Sequence, residues 1–96
     1  MNKYEIMFIV KSTLDEETIK KTSEDLQKLI NINPSKVVEF KEMGRKKLAY
    51  PIKKEVSGYY FVMNVETTHE TLAEFDRKVT INENVLRHLI IKVEGE

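Results

Sequence analysis

The residues best suited to do chemistry in this chain are basic, and they are concentrated in one stretch. Between residues 41 and 54, Lys41, Arg45, Lys46, Lys47, Lys53 and Lys54 are accompanied by a single acidic residue, Glu42. Tyr50 lies within the same stretch. Lys and Arg neutralise phosphates and release counterions, and an aromatic ring offers a stacking surface to an unpaired base. The combination favours RNA binding, although a Lys/Arg cluster by itself is more often a solvated surface.

The charge of the whole chain does not by itself indicate a nucleic-acid partner, because 16 basic residues balance 16 acidic ones. The distribution is uneven, however. Between residues 15 and 25 the acidic side chains Asp15, Glu16, Glu17, Glu24 and Asp25 outnumber Lys20 and Lys21. We therefore expect an electrostatic dipole, with a basic hairpin opposite an acidic helix.

Other kinds of site have little support in the sequence. His69 and His88 are the only histidines, and neither has a nucleophile or a second metal ligand nearby in the chain. The three glycines are too scattered to form a phosphate-binding loop. Without cysteine there is no disulfide and no thiolate metal site. We predict no catalytic residue, cofactor, metal or small-molecule substrate.

The compartment follows from the same features. A protein without disulfides does not need an oxidising environment, so the cytoplasm is expected. No apolar run is long enough to span a membrane. The apolar residues near the N-terminus are interrupted by Glu5 and are not followed by a cleavage signal, so they predict a strand of the mature protein.

Hydrophobic periodicity predicts strand, helix, strand, strand, helix, strand. The expected elements are a strand over Tyr4–Val10, a helix over Glu16–Ile30, strand segments over Lys36–Lys41 and Leu48–Ile52, a strand over Tyr59–Glu66, a helix over Thr68–Thr80 and a strand over Val85–Val93. Gly44 predicts a bulge or bend in the second strand. Pro51 lacks a backbone donor and predicts that this strand lies at a sheet edge. We expect a long hairpin loop over Lys53–Gly58 and a capping box at Thr67 and Glu70.

This element order is that of the ferredoxin-like split βαβ fold, in the α+β class. We expect one domain, residues 1–96, with two helices on one face of a four-stranded antiparallel sheet. The other face would be open, yet many of its positions are apolar: Met7, Ile9, Tyr60, Val62, Leu89 and Ile91. A solvated sheet face usually carries polar residues, so these positions suggest a partner surface.

At Gly44–Ile52 the chain resembles the family of the sixth protein of the bacterial small ribosomal subunit, ribosomal protein S-six. That family has a glycine, basic residues and then Leu-Ala-Tyr-Pro-Ile at this place, and the chain reads Gly-Arg-Lys-Lys-Leu-Ala-Tyr-Pro-Ile. The resemblance continues in Tyr4-Glu5, in Gly58-Tyr59-Tyr60, and in the last strand at Asn84-Val85, Arg87 and Lys92. It covers essentially the whole chain.

The resemblance implies a structural, non-enzymatic role on the ribosome. It implies binding to the central domain of 16S ribosomal RNA as a heterodimer with ribosomal protein S-eighteen, during assembly of the small-subunit platform. The residues it implies for RNA contact are Lys3, Arg45, Lys46, Lys47, Tyr50, Arg87 and Lys92. We expect Lys3, Arg87 and Lys92 to lie on the first and fourth strands, at the opposite end from the basic hairpin.

The residues alone leave two other classes open. A ferredoxin-like module can bind a small molecule or a second copy of itself, since this fold carries many functions. A small enzyme of the same fold would need a cluster of polar groups in a cleft, and the sequence gives no sign of one.

Overall fold

The computed structural model describes residues 2–32 and 34–94. In chain order its elements are β1 Asn2–Lys11, α1 Glu16–Ile30, β2 Lys36–Ile52, β3 Glu55–Thr67, α2 His69–Thr80 and β4 Val85–Glu94. The predicted order is confirmed. No described helix has the length and apolar character required to cross a membrane.

The four strands form one sheet in the order β2-β3-β1-β4, and all neighbours are antiparallel. Both helices cover one face, where apolar side chains of the sheet pack against those of α1 and α2. Phe8 and Ile6 of β1 meet Leu26 of α1 and Phe75 of α2 in this core, and each is almost fully buried. The ferredoxin-like prediction is therefore confirmed, and β2 is an edge strand, as Pro51 predicted.

The start of α2 differs from the prediction by one residue. Thr68, not Thr67, is the N-cap, and its hydroxyl accepts a hydrogen bond from the backbone N–H of Thr71 at 3.2 Å. Thr67 cannot take this role because it ends β3 and is fully buried. Its hydroxyl instead pairs with that of Ser35 at 2.8 Å.

The β2–β3 hairpin also differs from the prediction. The expected long loop over Lys53–Gly58 is wrong, because β3 already begins at Glu55 and only Lys53 and Lys54 form the turn. Both have positive φ, 50° and 69°. This is the backbone geometry of a two-residue hairpin turn whose twist matches that of the strands, and it is usually occupied by Asn or Gly. With Lys-Lys here the sequence carried no turn signal.

The pairing of β2 with β3 is irregular at three places, the first of them between Val37 and Glu39. Gly44 has a φ of 87°, and the register with β3 shifts between Glu42 and Gly44, which confirms the predicted bulge. A larger shift lies between the pairs Lys47↔Ser57 and Ile52↔Glu55. Between these two pairs, β2 has the four residues 48–51, whereas β3 has only Val56. This part of β2 is therefore three residues longer than the part of β3 that lies opposite it.

The extra chain lets the hairpin tip, residues 47–57, fold towards the open face of the sheet. Leu48 is only 7% exposed and forms a second apolar cluster with Ile9 of β1 and Leu86 of β4. Leu86 reaches this face because the pairing of β1 with β4 shifts between Ile9 and Val10. No local pattern in the sequence predicts this arrangement, since Leu48 and Leu86 are far apart in the chain.

Candidate nucleic-acid interface

The folded tip brings Tyr50 of β2 to Arg87 of β4. A guanidinium nitrogen of Arg87 donates a hydrogen bond to the Tyr50 hydroxyl. Arg87 was expected at the opposite end of the sheet from the basic hairpin, and that expectation is wrong. Arg87 pairs with Ile9, near the end of β1 that lies beside the hairpin, so it belongs to the same surface as Tyr50.

Lys46 lies on this open-face surface too. Its ammonium nitrogen is 5.7 Å from the centre of the Tyr60 ring, within the range of a cation–π interaction. Tyr50, Tyr60 and Arg87 line an open pocket of about 240 Å³, together with apolar side chains that include Ile9 and Leu48. Aromatic rings, a guanidinium and an apolar floor are the groups on which an unpaired base stacks.

Arg45 and Lys47 point to the other side of β2. Arg45 pairs with Tyr59, whose ring lies in the helix-covered core, and its guanidinium donates a 3.4 Å hydrogen bond to the carbonyl of Ser12. Lys47 pairs with Ser57, two residues before Tyr59, and therefore lies on the same side as Arg45. The side chains of the three consecutive basic residues therefore point to both sides of the strand and do not share one face.

Lys3 and Lys92 lie at the far end of the sheet. Lys92 pairs with Tyr4, whereas Arg87 pairs with Ile9, and five residues of antiparallel strand correspond to roughly 17 Å. The Lys3 ammonium is 3.9 Å from a carboxylate oxygen of Glu66. Lys3 and Lys92 are therefore separate from the surface formed by Lys46, Tyr50 and Arg87.

The turn residues Lys53 and Lys54 complete the basic tip, and the sequence-derived set of RNA contacts does not include them. The ammonium of Lys53 donates to the carbonyl of Val85 at 3.5 Å, which ties the turn to the start of β4. Positive φ at a residue other than glycine costs roughly 1 kcal/mol or more, so the fold holds both lysines in place against a local preference. Their basic character was the only signal available in the sequence.

Six basic side chains at and beside the hairpin tip form no ion pair within the part of the protein that the structure describes. Among the described residues, no carboxylate forms an ion pair with Arg45, Lys46, Lys47, Lys53, Lys54 or Arg87. All six of these residues are exposed to solvent. The acidic residues of α1 lie on the helix-covered side, which Arg45 and Lys47 also face.

Comparison with known proteins identifies the family. The family model described as "Ribosomal protein S6" matches residues 3–92. This chain belongs to the ribosomal protein S6 family. It is 44% identical over 92 residues to the small ribosomal subunit protein bS6 of Phytoplasma australiense, covering 96% of this chain and 99% of that protein. It is 40% identical over 94 residues to the bS6 protein of Phytoplasma mali (strain AT), covering 98% and 100%.

A solved member of the ribosomal protein S6 family has the same fold. The crystal structure of 30S ribosomal protein S6 from Thermotoga maritima superimposes with a TM-score of 0.89 at 27% identity, covering 96% of this chain and 87% of that one. The resemblance at Gly44–Ile52 is thereby confirmed. The protein is a structural component of the small ribosomal subunit in the cytoplasm, and it is not an enzyme.

His88 of this S6-family protein has a structural contact. His88 lies on the helix-covered side, and its Nε2 is 2.6 Å from a carboxylate oxygen of Asp76 in α2. This contact joins β4 to α2. Over residues 2–32 and 34–94, no group of three His, Asp or Glu side chains is arranged to hold a metal ion.

Proposed function

We propose that this protein binds the central domain of 16S ribosomal RNA together with ribosomal protein S-eighteen during assembly of the small-subunit platform. The observation that carries the RNA-binding part is the contact between Tyr50 and Arg87, next to Lys46 over Tyr60. It unites residues of the middle of the sequence with Arg87 of the last strand in one basic, aromatic surface. Family membership supports an RNA and a protein partner, since both belong to the ribosome.

Two kinds of RNA contact are proposed for this surface. Lys46, Lys53 and Lys54 neutralise phosphates, while Tyr50 and Arg87 receive an unpaired base in the pocket beside them. Arg45 and Lys47 reach phosphates on the other side of the edge strand, so that RNA follows the hairpin across its edge. Lys3 and Lys92 are proposed to add a second, weaker contact at the far end of the sheet.

The partner protein is proposed to cover the apolar part of the open face. Leu89 and Ile91 of β4 are 50% and 47% exposed there, and Met7 of β1 pairs directly with Leu89. Neighbouring apolar side chains that remain exposed on one face are typical of an interaction surface. This assignment gives RNA the hairpin tip and gives the partner the outer strand β4, with Arg87 at the boundary.

The test is binding to a central-domain RNA fragment over a salt series, with and without the partner protein. Changing Arg45, Lys46 and Lys47 to alanine should flatten the dependence of log affinity on log salt by about 0.7–0.9 for each phosphate that is no longer neutralised. The matched control removes three lysines of the exposed side of α1, Lys20, Lys21 and Lys28. The two triple variants remove the same charge, so equal effects would contradict the proposed location.

The partner surface is tested in the same assay. Leu89→Glu combined with Ile91→Glu should abolish the enhancement of RNA binding by the partner, because two charges would be placed in an apolar interface. Ile81→Glu is the control, since Ile81 is 70% exposed outside the open sheet face. An enhancement that survives the double change would exclude β4 as the partner's docking strand.

A further inference from the structure

A second concave surface lies on the helix-covered side, away from the open face. It is a groove of about 440 Å³ between α1 and the outer part of the sheet. Its floor is aromatic, with Phe40 of β2 and Tyr59 and Phe61 of β3. The Phe61 ring centre is 5.6 Å from that of Phe40 and 5.2 Å from that of Tyr59. Phe40 and Tyr59 are only partly buried, so the groove presents aromatic surface to solvent.

The rim of this α1–β2 groove is acidic. Glu16 and Glu24 of α1 and Glu42 of β2 line it, with Lys20 as the only basic lining residue among those described. Neither Glu16 nor Glu24 forms an ion pair with a described side chain. Both carboxylates can therefore take a cation from outside.

Glu42, the third carboxylate of the rim, holds the Tyr59 ring of the groove floor in place. Glu42 accepts a hydrogen bond from the Tyr59 hydroxyl. This hydrogen bond is the main cause that raises the pKa of Tyr59 above its ordinary value, with burial and the charges of Glu42 and Glu16 adding to it. The hydrogen bond also fixes the position of the Tyr59 ring, whose centre is 5.2 Å from that of Phe61.

The aromatic floor and the acidic rim together indicate which kind of ligand the groove would bind. Carboxylates repel phosphate, so the groove does not suit RNA. A guanidinium satisfies both parts of the site, because it stacks on aromatic faces and pairs with carboxylates in a planar, two-point geometry. A Lys ammonium meets the charge requirement but stacks less well.

We propose that the α1–β2 groove binds arginine side chains of a basic, extended segment of a neighbouring protein, with guanidinium groups stacked over Phe40 and Tyr59 and each paired with Glu16 or Glu24. The site is separate from the open-face surface proposed for RNA and its partner, and Arg45, which pairs with Tyr59, borders it on the same side of the sheet. It gives the protein a second protein contact on the opposite side of the sheet, so that it can bridge two neighbours.

The experiment is an NMR titration of the isotope-labelled full chain with an end-blocked peptide, glycine–arginine–glycine–arginine–glycine. Backbone amide shifts should concentrate at Phe40, Tyr59 and the α1 residues of the groove, with a Kd on the order of millimolar as expected for so small a ligand. The same peptide with citrulline in place of arginine keeps the shape without the charge and should cause no such shifts.

Two double variants localise the binding. Glu16→Gln with Glu24→Gln should weaken the peptide by about three- to tenfold, the range expected for losing two exposed ion pairs. Glu70→Gln with Glu83→Gln removes the same charge from exposed positions on and after α2 and should leave binding unchanged. Phe40→Leu retains an apolar side chain but lacks the ring, and its binding should fall while its amide spectrum remains that of a folded protein.

Three results would overturn the proposal. The first is no response of the groove amides at the highest peptide concentration, and the second is equal weakening of the peptide by both double variants. The third is a shift of the Phe40 and Gln27 amides, the part of the groove away from Arg45, on addition of a short uridine oligonucleotide. The last result would assign the groove to RNA. None of these outcomes bears on the open-face surface, whose test uses different residues.

Discussion

Leu48→Ala tests whether the hairpin tip is held on the open sheet face by apolar packing. Leu48 is 7% exposed, and its neighbours in the second cluster, Ile9 and Leu86, are 4% and 6% exposed. The other members, Ile52 and Tyr60, are only partly buried. If this small cluster fixes the tip, then truncating Leu48 should destabilise the protein and also loosen the contact between Tyr50 and Arg87.

The expected loss can be worked out from the cluster. Replacing a buried leucine by alanine usually costs about 2–5 kcal/mol, part of which comes from the cavity left behind. Leu48 borders the open pocket of about 240 Å³, so water and neighbouring side chains can fill the vacated space. We therefore expect a value at the lower end, about 2 kcal/mol in the free energy of unfolding.

Urea unfolding followed by tyrosine fluorescence measures this loss, and RNA binding measures its functional consequence. Val38→Ala is the matched control, because Val38 lies on the same strand but is 58% exposed, and it should cost less than about 0.5 kcal/mol. The RNA affinity of Leu48→Ala should fall when the protein is still folded, since Tyr50 and Arg87 are no longer held together. Equal stability of the two variants would refute the packing argument. An unchanged RNA affinity would show that RNA binding does not depend on the position of the tip.

Two further predictions concern Gly58 and Tyr59. A Cβ atom at Gly58 would lie 2.2 Å from the branched methyl Cγ2 of the buried Ile9, so Gly58→Ala should lower the free energy of unfolding in urea by about 1–3 kcal/mol. Adding Ile9→Val, which retains this methyl, should not restore the stability fully. Adding Ile9→Ala removes the methyl and should offset part of the clash. Glu42→Gln should lower the pKa of Tyr59 towards its ordinary value of 10.0, because the carboxylate that holds the phenol neutral is lost. Because the pKa of Tyr59 is raised in the folded state, this group stabilises the fold at pH values below its unfolded-state pKa. The contribution disappears as the pH rises through the folded-state pKa. Ultraviolet titration of the tyrosines should show one midpoint moving down, and unchanged midpoints would contradict the assigned cause.

The sequence was sufficient for the elements and their order because each has a strong local pattern. The stripe of Ile19, Leu26 and Ile30 specifies α1, and alternation through Tyr59–Glu66 specifies the central part of β3. Backbone constraints were equally local, since Pro51 required an edge strand and Gly44 allowed the bulge. The Lys-Lys turn was missed because lysine has no preference for positive φ, and the N-cap was placed one residue early because Thr67 and Thr68 have the same side chain.

The composition of the basic stretch and the family resemblance at Gly44–Ile52 were also contained in the sequence, and they were enough to give the class of partner. What only the tertiary structure decided is which of these residues share a surface. Alternation along β2 separates Lys46 from Arg45 and Lys47, while the register shift after Lys47 folds Tyr50 across the sheet to Arg87. Such contacts depend on strand register and on the packing of Leu48 against residues distant in the chain. Neither is encoded in a local pattern, so a basic segment can be found by reading the sequence, but the surface that its side chains share is formed only when the sheet is complete.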